Sequence, residues 1–273
     1  MALLAALFAA VGYGTANFMG GMASRRQHAA MTLLISQTAA LILILVLALL
    51  AGGVIGSVRL GALAGIIAFC GAALAYVCFS LGRPIGVAAA LLGMNAVAVP
   101  VIAGVIGGQY PGTLGWIGLS VALVAIIIFA WPQQGTTDAT AAMLATAAGC
   151  SFGAYHTVMS HSNPDSGMWP VVASQWVIVL LSIVFVLLVR AQTGLHSVMA
   201  MSAGDGIASV VATIAALVAV RGAALPIAGT LIALSPAITL LLARMLLTER
   251  FNLRKGLGLT LAGAAVVLLT FPS

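Results

Sequence analysis

The stretch RGAALPIAGTLIALSPAITLLLARMLLTERFNLRKGLGLTLAGAAVVLL, residues 221–269, contains two long apolar runs separated by one short charged segment, ERFNLRK (249–255). Each run is close to the length of about 20 residues that an α-helix needs to cross a bilayer. Surface helices of soluble domains have a polar face, which neither run shows. The stretch therefore predicts two consecutive membrane-spanning helices.

The composition of the whole chain agrees with this interpretation. Of its 273 residues, 63% are hydrophobic and 5% are charged, whereas soluble domains have roughly 25% charged residues. This excludes a soluble enzyme, a nucleic-acid-binding protein and a disordered scaffold. The net charge of +6 comes from basic residues scattered between apolar runs, which is typical of the loops of a multi-pass membrane protein. The expected surroundings are a lipid bilayer.

The apolar runs predict an all-α fold with ten spans. The breaks between them hold most of the charged and turn-forming residues, and they are too short for an extramembrane domain. MALLAALFAA (1–10) lacks the basic start of a signal peptide, so we expect it to be retained as part of the first helix. The predicted spans are residues 2–22, 31–54, 61–81, 85–107, 113–131, 140–159, 168–190, 204–220, 223–247 and 256–271.

The two halves of the chain resemble each other. A shift of 140 residues aligns Gly82 with Gly222 and Gln109 with Glu249, and a shift of 139 aligns Asn17 with His156. The helix breaks coincide as well. We therefore predict two five-helix repeats, 1–132 and 139–273. Because five is odd, the second repeat enters the membrane from the opposite side, as in many secondary transporters.

The sequence resembles the EamA-type transporters of the drug/metabolite transporter superfamily. The first helix of that family is similar to VGYGTANF (11–18), and its last two helices are similar to 221–269. Residues 81–130 repeat the second pattern more weakly. The matching positions are Tyr13, Pro236, Glu249, Gly256, Gly258 and Gly263.

The resemblance implies ten helices in two inverted repeats, with helices 5 and 10 peripheral and a central cavity between the halves. It also implies the transport of small metabolites, amino acids or drugs. The chain departs from the family at Gln109, where an acidic residue is usual, and at Gln37, where Arg is frequent.

The loop charges and the resemblance disagree about orientation. Family members are drawn with both termini in the cytoplasm. The loops that follow the odd-numbered spans contain seven basic residues, and the other loops contain two. By the positive-inside rule, this distribution places both termini outside. The seven are Arg25, Arg26, Arg83, Arg190, Arg250, Arg254 and Lys255, and the two are Arg59 and Arg221.

Acidic residues are rare, and we expect none of them at the middle of a span. Asp138, Asp165 and Glu249 fall in breaks. Asp205 stands at the start of the predicted span 204–220, where a helix cap is the favoured interpretation and an acid that extends into the membrane is the alternative. Proton coupling through a buried carboxylate is therefore not expected. Arg244 is expected to extend towards the membrane surface.

Neutral polar residues within the spans are the candidates for substrate binding. Polar groups at membrane depth are energetically unfavourable, so a residue of this kind indicates a functional site. His156 is also the candidate proton carrier, because it titrates near neutral pH. The alternative for each is a hydrogen bond between helices, and Trp176 alternatively faces lipid. The candidates are Asn17, Gln37, Tyr76, Asn95, His156, Gln175, Trp176 and Ser235.

Three prolines are candidate kinks or hinges, because proline lacks the backbone donor of a helix. Pro100 is expected to interrupt the fourth span, and Pro226 and Pro236 the ninth. The alternative is a kink that serves packing alone. Pairs of glycines four residues apart, such as Gly61 and Gly65, are interpreted as helix-packing positions.

Enzymatic chemistry is not expected. GCSFG (149–153) matches the G-x-S-x-G motif of serine hydrolases, but it lies in an apolar helix instead of a strand–turn–helix elbow. Cys70, Cys78 and Cys150 lack the spacing of metal ligands and are interpreted as packing residues. No cofactor or metal is predicted.

These observations predict a multi-pass transporter of the inner or plasma membrane. The expected substrate is a small neutral or zwitterionic metabolite such as an amino acid, moved by alternating access, and the resemblance favours export. The alternatives are an efflux carrier for drugs or lipophilic cations, against which the missing acid counts, and a membrane protein that transports nothing. The sequence leaves open whether the chain is a monomer or a homodimer.

Overall fold

The computed structural model describes residues 1–81, 85–130, 139–192, 196–247 and 253–270. Its regular elements are helices, joined by short loops, and a 3-10 turn, Pro164–Ser166, lies between α6 and α7. The helices are α1 (Ala2–Ser24), α2 (Ala29–Ala51), α3 (Val58–Ser80), α4 (Ile85–Ile106), α5 (Thr113–Ala130), α6 (Ala139–Ser160), α7 (Trp169–Val189), α8 (His196–Gly222), α9 (Leu225–Ile232), α10 (Ser235–Leu247) and α11 (Leu253–Thr270).

Seven helical segments in the described part of the chain are long and apolar enough to cross a membrane. The chain is thus an all-α, multi-pass membrane protein, as predicted. The count of ten is not reached, because α5 and α11 contain shorter apolar stretches and the polar residues of α6 lower its mean hydropathy. The seven segments are Ala2–Ser24, Ala29–Ala51, Val58–Ser80, Ala88–Ile106, Trp169–Val189, His196–Gly222 and Leu225–Leu247.

Two predicted spans have different boundaries in the structure. The predicted break SAGD (202–205) lies inside α8, which begins at His196. The small residues of this stretch allow the helix to pack closely against its neighbours. Ser202 Oγ donates a hydrogen bond to the Val198 carbonyl oxygen at 3.0 Å. The predicted span 223–247 is divided into α9 and α10 by a break at residues 233–234.

The helices pack in a defined set of pairs. The most extensive contacts join α1 to α8, α4 to α6, α5 to α11, α3 to both α6 and α7, and α2 to both α8 and α7. A further set joins α4 to α9, α10 and α5, and α1 to α9 and α10. Helices from the first and second halves of the chain are thereby interleaved. Residues 131–138, which include the junction between the two predicted repeats, lie outside the described part.

Proline rings seated on glycines bring α4 close to α9 and α10. An added Cβ at Gly93 would lie 2.8 Å from Pro236 Cγ, and one at Gly229 would lie 2.6 Å from Pro100 Cβ. Packing of this kind compensates for the absence of a hydrophobic driving force between helices in lipid. Pro100 lies within α4, which continues through it without a break, and its role as a kink or hinge stays a prediction.

The other two prolines stand at helix starts. Pro226 occupies the first turn of α9, and Pro236 is the second residue of α10. A proline in the first turn removes no helical hydrogen bond, since the N–H groups there have no partner within the helix. Pro226 therefore does not interrupt a span, whereas Pro236 directly follows the break between α9 and α10.

Candidate functional site

A cavity of about 140 Å³ lies among the helices of both halves of the chain. Its lining comes from α1, α2, α3, α4, α6, α7, α8, α9 and α10 and from Ala233, and it includes no described residue of α5 or α11. The walls are mostly apolar. The polar and ionisable lining residues are Tyr13, Asn17, Gln37, Tyr76, Tyr155, His156, Gln175, Asp205, Ser209, Thr213 and Ser235.

Six of the eight predicted binding residues line this cavity. Trp176 does not, and its side chain is 49% exposed on the outside of α7, which agrees with the alternative that it faces lipid. Asn95 belongs to α4, but its side chain lies outside what the structure describes. The six that meet are Asn17, Gln37, Tyr76, His156, Gln175 and Ser235.

Asp205 also lines the cavity, and its interpretation as a helix cap is wrong. It is the tenth residue of α8, about 14 Å from the helix start at a rise of 1.5 Å per residue. Its side chain is 2% exposed. The expectation that no carboxylate lies within a span therefore fails at Asp205.

The Asp205 carboxylate is held by hydroxyl groups. The Tyr76 hydroxyl of α3 donates a hydrogen bond to Asp205 Oδ2, and it also lies 3.2 Å from Ser36 Oγ of α2. The hydrogen bond joins a helix of the first half to one of the second half. Asp205, Tyr76 and Ser36 are all buried.

Two glycines make room for this group of side chains. A Cβ at Gly20 of α1 would lie 2.7 Å from Tyr76 Cε1 and 2.8 Å from Asp205 Oδ2. A Cβ at Gly206 would overlap the Ser36 carbonyl oxygen. Helices α1, α2, α3 and α8 thus converge on the Asp205 carboxylate. This close packing requires glycine at Gly20 and Gly206, because a Cβ atom at either position would collide with a neighbour.

The signal that identifies Asp205 in the sequence is the length of its predicted span. Residues 204–220 number 17, fewer than the roughly 20 needed to cross the hydrocarbon core. Extending the helix towards its N-terminus places Asp205 inside the membrane. The turn-like composition of SAGD concealed this, because Ser, Gly and Asp are also typical of loops.

An aromatic cluster lies across the cavity on α1 and α6. The His156 ring packs edge-to-face against the Tyr13 ring, at a centroid distance of 5.8 Å, and against the Tyr155 ring, at 5.3 Å. The Tyr13 hydroxyl shares a hydrogen bond of 2.9 Å with Thr213 Oγ1 of α8. Asn17 and His156, aligned by the internal repeat, both line the cavity. Tyr13 and Tyr155 were not predicted as site residues.

Gln175 of α7 contributes an unsatisfied polar atom. Its side chain is 5% exposed and lines the cavity. Its Oε1 is buried and has no hydrogen-bond partner among the described residues. A buried acceptor without a partner is unfavourable by about 1–3 kcal/mol. Gln175 is therefore able to gain a hydrogen bond from a molecule in the cavity.

Other predicted features lie away from the cavity. Ser151 of the GCSFG motif is inside α6 and donates to the Ala147 carbonyl at 2.9 Å. Cys78 is buried, as a packing residue is, whereas Cys70 and Cys150 are exposed. Glu249 lies outside the described residues. Within the described part, no three His, Cys, Asp or Glu side chains form a group able to hold a metal ion.

Comparison with known proteins identifies a common fold. One solved structure, described as "Crystal structure of protein", matches with a TM-score of 0.76 over 98% of this chain and 96% of that chain. The chain shares the fold of that protein. The sequence identity is 14%, so the likeness concerns the fold alone. No family model matches the sequence, and no curated protein matches it.

Proposed function

We propose that this chain is a secondary transporter that moves small metabolites across a cell membrane by alternating access. The observation that carries the proposal is the cavity itself, which both halves of the chain line and which contains polar groups from seven helices. Polar groups at membrane depth are energetically unfavourable, so their presence indicates a substrate or ion pathway. The expected substrates are small metabolites such as amino acids, and the resemblance to EamA-type transporters favours export.

The proposal includes ten spans in two inverted repeats. In it, α9 and α10 together form the ninth span and α11 forms the tenth. A two-fold axis between the repeats would exchange each span with the one five spans earlier or later in the chain. This exchange converts the α1–α8 pair into the α6–α3 pair. It also returns the α2–α7, α5–α11 and α4–α9/α10 pairs to themselves. The observed contacts contain each of these pairs, which supports a two-fold axis between the halves.

A second candidate function is the efflux of organic cations. The missing acid counted against this function, and Asp205 now supplies one in a cavity whose lining includes Tyr13, Tyr76 and Tyr155. Aromatic faces attract cations, and a carboxylate adds a full opposite charge. This candidate and the transport of amino acids share one requirement, a positively charged nitrogen on the substrate.

Flux into proteoliposomes tests the proposal. Purified protein would be assayed with a panel of radiolabelled amino acids, neutral metabolites and organic amines, with and without a pH gradient. The variants Asn17→Ala and His156→Ala alter cavity-lining residues. We expect saturable flux that both substitutions reduce at least tenfold. If the flux follows the gradient and His156→Ala abolishes that dependence, His156 carries the proton.

The matched control is His161→Ala, since His161 is exposed in the loop after α6. This variant is expected to transport at the wild-type rate. Absence of flux for every member of the panel in the wild-type protein would contradict the proposal. Equal loss in His161→Ala and His156→Ala would also contradict it, because the effect would then not come from the cavity.

A further inference from the structure

The cavity contains one acid and one base among the described residues that line it. The acid is Asp205 and the base is His156. The ring contacts of His156 are with Tyr13 and Tyr155, and the hydrogen bond to Asp205 Oδ2 comes from the hydroxyl of Tyr76. A buried carboxylate is therefore held here by neutral groups.

An ionised carboxylate in such a place is unfavourable unless a cation compensates it. Hydroxyl groups orient the carboxylate, but they carry no net charge to balance it. In the interior of a membrane protein this balance comes from a bound proton or from a cation that enters the site. The two carboxylate oxygens together accept about four hydrogen bonds, so the bonds from Tyr76 and Ser36 leave room for donors from a ligand.

We propose that Asp205 binds the ammonium group of the substrate, with Tyr76 positioning the carboxylate, so that this cavity selects small primary amines over neutral molecules of the same shape. This rests on the proposed transport function and names its substrate class. It revises the expectation of neutral metabolites.

The rest of the cavity fits the body of such an amine. Apolar side chains from five helices line it, and they are Phe79, Leu92, Phe152, Ile178 and Ile232. Its volume of about 140 Å³ is close to the roughly 150 Å³ of an engineered protein cavity that binds benzene. Gln175 provides a further unsatisfied acceptor. A small aliphatic or aromatic body with an ammonium group at one end matches this arrangement.

A binding measurement on matched probes tests the proposal without requiring transport. Wild-type protein in nanodiscs would be titrated by calorimetry with phenethylamine and with 2-phenylethanol, which has nearly the same shape but no charge. We expect phenethylamine to bind at least tenfold more tightly. Asp205→Asn is expected to reduce this preference to less than threefold, because the neutral amide attracts the ammonium group only weakly.

Variants at Asp205 and Tyr76 separate charge from structure. Asp205→Glu keeps the charge and is expected to retain a preference for the amine. Tyr76→Phe removes the hydroxyl that orients the carboxylate, so it should lower the affinity for the amine several-fold and leave that for the alcohol unchanged. A purely structural role of Tyr76 would weaken both probes alike. Asp165→Asn is the matched control, because Asp165 is exposed in the loop between α6 and α7.

The outcomes are decisive even if Asp205→Asn fails to fold. Equal affinity of the wild-type protein for both probes, or no saturable binding of phenethylamine, would overturn the proposal. An Asp205→Asn variant that prefers the amine as strongly as the wild-type protein does would also overturn the proposal. Binding of the amine without flux in proteoliposomes would instead contradict the transport function. Flux of neutral metabolites without binding of the amine would leave transport standing and remove the substrate class.

Discussion

The Oγ atom of Ser57 accepts a hydrogen bond from the backbone N–H of Asn163 at 2.9 Å. Ser57 precedes α3 and has a φ of 52°, a left-handed conformation that is unfavourable for residues other than glycine. Asn163 belongs to the loop that follows α6. The two loops meet again where the Val54 N–H donates to the Asp165 carbonyl at 3.2 Å. The two halves of the chain are thus joined at this end of the helix bundle.

Cross-linking these loops should stop transport. In a chain with Cys70, Cys78 and Cys150 replaced by Ala, Ser57→Cys and Ser166→Cys are expected to form a disulfide, since the two Oγ atoms lie 3.3 Å apart. Alternating access requires the halves to separate at each end in turn, so oxidation should abolish flux in proteoliposomes and reduction should restore it. Each single cysteine variant serves as the control. Full flux through the oxidised double variant would show that this end stays closed during transport.

Arg221 at the end of α8 should stabilise the loop that follows α6. Its guanidinium group donates to Ser162 Oγ at 2.7 Å and to the carbonyl oxygens of Gly167 and Asn163 at 3.0 and 3.1 Å. Arg221→Ala is expected to destabilise the folded protein by about 1.5–3 kcal/mol, as for other hydrogen bonds to charged groups, and to lower the thermal unfolding temperature in detergent. Arg221→Lys should recover little, because an ammonium group lacks the planar fork of donors. An unchanged unfolding temperature in Arg221→Ala would contradict this role.

Binding of amines should weaken as the pH falls. A protonated Asp205 carboxyl group is neutral and no longer attracts an ammonium ion, so affinity for phenethylamine should decrease on acidification, while affinity for 2-phenylethanol stays constant. Calorimetric titration of both probes across a pH series measures the difference. Constant amine affinity across the series would contradict the role of Asp205.

Other ionisable groups near Asp205 require a control. His156→Gln is expected to keep the pH dependence, and its loss in that variant would assign the effect to His156. The tyrosine and histidine side chains on the helices packed against α8 are Tyr13 of α1 and Tyr155 and His156 of α6, and the bonded partner Tyr76 comes from α3. Arg25, Arg26 and His28 lie in the loop between α1 and α2 and are exposed.

Gly20→Ala should disturb the Asp205–Tyr76 hydrogen bond. The added Cβ lies under 3 Å from atoms of both side chains, so one of them has to move. Overpacking of this kind destabilises folded proteins by about 1–3 kcal/mol, and we expect at least a fivefold loss of phenethylamine affinity. Gly263→Ala is the control, since no atom lies within 4 Å of a Cβ there. Equal affinities in the two variants would show that Gly20 does not set the position of Asp205.

Most of the candidate site could be predicted by asking which polar residues lie within apolar runs. Asn17, Gln37, Tyr76, His156, Gln175 and Ser235 were found in this way, and all six line the cavity. For Trp176 the choice between the cavity and lipid stayed open, because the sequence does not say which face of α7 points inwards. That helix is apolar on nearly every side, so its sequence pattern carries little information about orientation.

The amino-acid sequence by itself determined that the chain is helical and lies in a membrane. Apolar runs of about 20 residues favour helices, because a helix bonds its backbone N–H and C=O groups within its own segment and leaves none exposed to lipid. It also placed most helix boundaries within a few residues, since charges and turn residues mark where the chain leaves the apolar region.

Only the tertiary structure decided what the cavity contains. Asp205 is a turn residue when its neighbours alone are considered, and it is a buried acid because Gly20 and Gly206 allow α1, α2 and α3 to close around it. Its partner Tyr76 is 129 residues away in the chain. Contacts at that distance depend on how helices pack, and the packing of uniformly apolar helices is set by small residues and hydrogen bonds.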